Sequence, residues 1–170
     1  NHFIQNRPVH LARRDVYYQA AVKELKRQKL EDEPLSIEAY SKILFLLKVA
    51  RMHAKFGVRT PGENEDDEKF ARFIALLTAN AKAVLSMLEL RELALQDDSF
   101  SFLGTNQATI GLQAEEYQRR AKDIMGSLLS TLELADTTFE QLRVSNADAL
   151  SDEELSRYRK TYEHVEELMN

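Results

Sequence analysis

The hydrophobic positions follow the 3.6-residue period of an α-helix along most of the chain, and the longest such pattern covers residues 66–96. Asp66, Asp67 and Glu68 open it with the negative charge that suits a helix N-terminus. Neither proline nor glycine interrupts the pattern. At ~1.5 Å per residue this helix is roughly 45 Å long. We therefore predict a central helix that contacts more than one neighbour.

The apolar side of this helix covers about half of its circumference. It is predicted to hold Phe70, Phe73, Ile74, Leu77, Ala81, Val84, Leu85, Leu88 and Leu95, with Leu76, Ala83 and Met87 extending it. Asn80 lies toward this side, between Leu77 and Val84. A buried Asn commonly fixes helix register or oligomeric state, whereas an Asn at the edge binds water. If Asn80 pairs across helices, Asn80→Leu should change the oligomeric state.

Two long helices are predicted before the central one. The first covers residues 8–30, because Pro8 suits the first helical position, where its missing N–H costs nothing. Its apolar stripe is narrow, so we expect it on the outside of the fold. The second covers residues 37–56, with Ser36 as its N-cap and Gly57 as the residue that follows its end.

Two more long helices and one short helix are predicted after the central one. Residues 107–135 carry apolar side chains three and four positions apart, which is the spacing of an antiparallel bundle. Thr137 is then predicted to cap a short helix, and Ser151 is predicted to cap a last helix over residues 152–169. The prediction is therefore an all-α fold, an antiparallel helical bundle of four main helices plus a C-terminal helix. We expect one domain over residues 1–170.

Composition supports a globular chain, since 44% of the 170 residues are hydrophobic and 30% are charged. Because the chain starts at Asn1 and not at Met, we expect a processed chain or a fragment of a longer protein. No apolar run approaches the ~20 residues that cross a bilayer, so we predict no membrane span. The absence of cysteine excludes disulfides, thiol catalysis and cysteine-based metal sites, and it fits a cytoplasmic location.

The charge is unevenly distributed, with a net +6 before Pro61 and −11 from there on. This split indicates either a basic surface for an acidic partner or two halves of one fold that attract each other. The first reading suggests nucleic-acid or anion binding by the first helix, which also carries Tyr17 and Tyr18. The basic residues predicted for that alternative are Arg13, Arg14, Lys23, Lys26 and Arg27.

Two groups of apolar residues are candidates for binding a protein partner. Phe100, Phe102 and Leu103 lie in the connection after the central helix, where they either fold back over the core or form a hydrophobic protrusion. Tyr158 and Tyr162 belong to the apolar stripe of the last helix. We expect that stripe to dock on the bundle or on a second copy of the chain.

Known catalytic and cofactor motifs are missing from the sequence. No Glu-x-x-His pair, zinc-type histidine spacing, Walker motif or Rossmann glycine pattern occurs. His53 is followed by Lys55 and Gly57, but this spacing differs from that of phosphotransfer domains, so no family is assigned. We therefore predict no catalytic residues, no metal and no cofactor, and a chain that is not an enzyme.

Three functions remain open from the sequence. We favour a protein–protein interaction or regulatory module, such as an adaptor, a chaperone-like domain or a dimerising domain, which binds another protein or a second copy of itself. The alternatives are a nucleic-acid-binding helical protein, whose affinity should fall steeply as salt rises, and a bundle that encloses a small ligand.

Overall fold

A computed structural model describes residues 7–30, 35–58, 65–96 and 107–139 of the chain, together with Lys160. These residues confirm the all-α class, because they form four long α-helices and no strand. The helices are α1 (Arg7–Leu30), α2 (Ile37–Gly57), α3 (Glu65–Gln96) and α4 (Gln107–Phe139). Lys160 is helical, but the rest of the predicted helix over residues 152–169 lies outside the described residues.

Helix α3 packs against both α2 and α4, as predicted for a central helix, and α2 also packs against α1. His10 near the start of α1 lies beside His53 near the end of α2, whereas Glu24 toward the end of α1 reaches Lys42 in α2. Side chains of all four helices join one apolar core. Because it packs against both, α3 lies between α2 and α4.

Helix α1 is more deeply embedded than its narrow apolar stripe predicts. Tyr17 and Tyr18, which the sequence places beside the basic side chains, are both buried. The ring of Tyr18 meets Phe70 of α3 edge to face, with 4.8 Å between ring centroids. Aromatic rings contribute a large apolar area when they are buried. Placing Tyr18 on the basic face of the helix is therefore wrong, because its contacts with other helices outweigh the local pattern.

Helix α2 begins as predicted but ends for a different reason. The Ser36 side chain accepts a hydrogen bond from the backbone N–H of Ala39 at 3.2 Å, which confirms it as the N-cap. Gly57 is the last helical residue, and Val58 caps the helix. Gly57 is buried against Leu11 of α1, whose side chain occupies the space that a Cβ would need. The glycine is thus needed for close helix approach.

We predict opposite effects for alanine at two helical glycines. Gly57→Ala should lower the free energy of unfolding by roughly 1–3 kcal/mol, because the new methyl group meets Leu11. Gly126→Ala should raise it by up to about 1 kcal/mol, because nothing lies within 4 Å of the added Cβ and alanine favours the helix. Urea unfolding followed by circular dichroism measures both. Equal effects would contradict the assigned contact.

Helix α4 is longer than predicted at its C-terminus. The sequence suggests a break after Ala135 and a new cap at Thr137, but the helix continues to Phe139. The residues of a capping box can also adopt helical backbone in the interior of a helix. The helix therefore continues through Thr137 when the turns on either side are helical. The predicted core spacing is confirmed at Ala114, Ala121 and Leu128, which are buried.

Candidate functional site

A buried ionic cluster joins the first and third helices. Arg14 of α1 donates a hydrogen bond from Nε to Asp15 Oδ1 at 2.8 Å and another from Nη1 to Asp67 Oδ1 at 2.7 Å. All three side chains are no more than 5% exposed. The guanidinium also lies 4.7 Å from the centroid of the Phe70 ring, within the range of a cation–π contact. This cluster links two helices that are distant in sequence.

The cluster changes the role of one residue predicted to bind anions. Arg14 is turned inward, where two carboxylates neutralise its charge, so it is not on the exposed basic face. Asp67 lies in the first turn of α3, where the helix dipole further favours its negative charge. Arg14 and Asp67 also come from the basic and acidic parts of the chain. Their ion pair is an example of the attraction predicted between the basic and the acidic part of one fold.

The other basic residues predicted for this face lie at the surface of α1. Arg13, Lys23, Lys26 and Arg27 are exposed, and Arg27 forms an ion pair with Glu24 at 3.1 Å. An exposed pair of this kind contributes little to stability. Binding of nucleic acid by these residues stays a prediction.

A histidine pair joins α1 to α2 beside the ionic cluster. The Nδ1 atoms of His10 and His53 are 3.0 Å apart, so one ring donates a hydrogen bond to the other. Tyr17 stacks on His53, and Phe56 lies against His10. Burial, together with the nearby charges of His10 and Arg13, lowers the pKa of His53 to about 4. His53 is therefore uncharged in the folded chain at neutral pH.

The described residues around the histidine pair do not supply the additional ligands of a metal site. Within the described ranges, no group of three or more His, Cys, Asp or Glu side chains could hold a metal ion. His53 Nε2 is buried and has no hydrogen-bond partner among those residues. Sequence spacing could not find this pair, because its members lie in different helices. We interpret it as a packing contact with a titratable group.

An open cleft of about 480 Å³ lies between the end of α3 and the first half of α4. Arg91 and Leu95 line one side, and Arg119 and Lys122 are among the α4 residues on the other. Arg119 is already bonded to Glu116 and Asp123 within α4. The hydrogen bond from Arg119 lowers the pKa of Glu116. Much of the positive charge at this cleft is therefore neutralised locally.

Among the described residues, α3 has exposed apolar side chains on the side opposite the core. The large ones on this side are Leu76, Leu90 and Leu93, which are 51%, 38% and 62% exposed. Three small residues lie between Leu76 and Leu90 on the same side: Ala79 and Ser86 are exposed, and Ala83 is half-buried. The six residues are successively three, four, three, four and three positions apart, as in the contact face of a coiled coil. We call these six residues the outer face of α3.

Two leucines of α3 that the sequence assigned to the apolar side are not covered by the described residues. Leu76 and Leu95 are assigned to the apolar side by periodicity, yet both are about half exposed. A helix with an apolar arc this wide has more hydrophobic surface than two neighbouring helices cover. The width of the apolar arc in the sequence therefore already indicated that part of it would stay exposed.

The apolar character of α3 also meets a length and composition criterion for a membrane-spanning helix. Its most apolar 18-residue window has a mean hydropathy of 1.5, and 33% of that window is buried inside the fold. Core helices of water-soluble proteins meet the same criterion. The predicted absence of a membrane span therefore stays a prediction.

Of the remaining predicted site residues, Asn80 alone is among the described residues. Asn80 is half-buried on α3, beside the outer face. Its proposed effect on oligomeric state stays a prediction. The candidate partner-binding residues Phe100, Phe102, Leu103, Tyr158 and Tyr162 all lie outside the described residues.

Comparison of the chain with protein-family models, curated proteins and solved structures finds no match. Function must therefore be argued from the geometry of the chain itself.

Proposed function

We propose that this chain is a non-enzymatic protein–protein interaction module of the cytoplasm, and that the outer face of α3 receives a helix of its partner. The observation that carries the proposal is that the exposed leucines Leu76, Leu90 and Leu93 of the central helix lie on one face with the small residues Ala79, Ala83 and Ser86. Large apolar side chains exposed together on one surface are typical of docking surfaces. Heptad spacing is the arrangement that a second helix can match along its length.

The energetics favour occupation of this face. Leu76 to Leu93 extend over about 26 Å of helix. Burying the exposed part of each leucine contributes on the order of 1 kcal/mol, and the intervening small residues allow a helix to approach closely. A partner helix with a matching apolar stripe would gain a similar amount from its own side chains. Such an interface is small, so we expect reversible binding.

The proposed scaffold is an antiparallel bundle of the four main helices plus the C-terminal helix. The contacts of His10 with His53 and of Glu24 with Lys42 support opposite directions for α1 and α2. The Arg14 cluster fixes α1 to α3. Buried polar contacts of this kind favour one arrangement over others with a similar apolar core. A rigid scaffold would hold the outer face ready for binding.

In-cell photo-crosslinking tests the proposal. A photo-reactive amino acid at Ser86, in the middle of the outer face, should give a covalent adduct with a bound protein. The same amino acid at Ser130, an exposed position on α4, serves as the matched control. We expect adducts from position 86 only, and their loss when Leu90→Glu is added. Equal adducts from both positions, or none from position 86, would contradict the proposed interaction face.

A further inference from the structure

We infer that the partner helix on the outer face is α3 of a second copy of the same chain, packed antiparallel about a two-fold axis between Ala83 and Ser86. The inference rests on the proposed interaction function and names its partner. A two-fold interface brings the same surface of both copies together, so the surface must be complementary to itself. The outer face of α3 meets this condition in both side-chain size and charge.

The side-chain sizes are complementary when two copies of the face pack against each other in opposite directions. In this register Leu76 of one copy meets Leu93 of the other, and Ala79 meets Leu90. At the centre Ala83 meets Ser86, so the two helices approach most closely there. Large residues thus fill the ends of the contact, and each Leu90 fits over a small residue. The layers are those of an antiparallel coiled coil.

The charges beside the face are also complementary in this register. Lys82 and Glu89 are exposed on the same flank of α3, seven residues apart. Reversing the helix places Lys82 of one copy beside Glu89 of the other, and the two-fold axis repeats that pair. Charged residues in these flanking positions set the orientation of coiled-coil partners.

A parallel pair of the same helices lacks both features. Each residue would then face its own copy, so the layers of Ala79, Ala83 and Ser86 would leave unfilled space between the leucine layers. Lys82 would lie beside Met87 of the second copy and would have no carboxylate there. The antiparallel arrangement is therefore the one that this surface favours.

Light scattering on the full chain at two concentrations tests the dimer. The mass should rise from 19.6 kDa toward twice that value as concentration increases. Leu90→Glu should weaken the dimer at least about tenfold, because each dimer then buries two unpaired charges. Leu95→Glu is the matched control, since Leu95 is 52% exposed on α3 but lies off the outer face. Circular dichroism verifies that both variants remain folded.

Charge reversal tests the flanking pair. Lys82→Glu should weaken the dimer, and the double variant Lys82→Glu, Glu89→Lys should restore it, because the swapped charges again face each other across the axis. A double variant no better than the single one would overturn the antiparallel register.

Engineered cysteines test the direction of the helices, because the chain has no cysteine of its own. Under mild oxidation, chains carrying Ala79→Cys should form disulfides with chains carrying Leu90→Cys, but not with themselves. In the antiparallel pair the two copies of residue 79 are about 16 Å apart along the axis, too far for a disulfide. Disulfides between two Ala79→Cys chains would instead show a parallel pair and overturn the inference.

Three outcomes distinguish failure of the dimer from failure of the proposed interaction face. A chain that stays monomeric, but whose Ser86 position crosslinks to a different protein, would overturn the dimer and leave the interaction face in place. Flotation with phosphatidylcholine vesicles that is lost in Leu90→Glu would overturn both, because the face would then bind a bilayer. A concentration-dependent dimer that is sensitive to Leu90→Glu and insensitive to Leu95→Glu supports both.

Discussion

Arg14→Gln is expected to lower the free energy of unfolding by about 3–5 kcal/mol. The substitution removes a cation that contacts both Asp15 and Asp67, and it leaves two buried carboxylates without that charge partner. The contact with the Phe70 ring is lost as well. Since small domains unfold at a cost of 5–15 kcal/mol, this is a large share of the total. Urea unfolding at pH 7 measures it.

The neighbouring residue provides the control. Arg13 has the same charge but is exposed, so Arg13→Gln should change stability by no more than about 0.5 kcal/mol. Adding Asp15→Asn and Asp67→Asn to Arg14→Gln should recover part of the loss, because the buried negative charges are then removed. A loss below about 1 kcal/mol for Arg14→Gln would show that the cluster is not closed to solvent.

Stability is expected to fall as the pH is lowered from 6.5 to 4, by about 3 kcal/mol from His53 alone. In the unfolded chain His53 takes up a proton near pH 6.5, whereas burial holds its pKa in the folded chain at about 4. Between these values the unfolded state binds more protons, so acid favours unfolding. The contribution is fully present above pH 6.5, and no more is lost below pH 4. Urea unfolding at pH 7, 6, 5 and 4 measures the change.

His53→Asn separates this contribution from that of the carboxylates. Asparagine keeps a polar atom near the position of Nδ1, where His10 binds, but does not titrate. The difference in stability between the two chains should therefore shrink or reverse as the pH falls toward 4. The same slope in both chains would mean that His53 is accessible to protons in the folded state.

The sequence was sufficient for features that depend on neighbouring residues along the chain. The period of the apolar residues placed the four long helices to within a few positions, and Ser36 marked the start of α2 through a hydrogen bond three residues away. The acidic residues near Asp66 marked the start of α3. These signals are local, because helix geometry and capping involve residues within one or two turns.

The tertiary structure decided which side of each helix faces the core, and therefore where function can be sought. Local pattern put Arg14 on an exposed basic face, but packing of α1 against α3 placed it between Asp15 and Asp67. The pairing of His10 with His53, and the approach of Leu11 to Gly57, likewise need two helices side by side. Periodicity shows that a residue is apolar, but only the positions of neighbouring helices determine whether it is covered. Leu76, Leu90 and Leu93 remain exposed because no described helix packs over that side of α3.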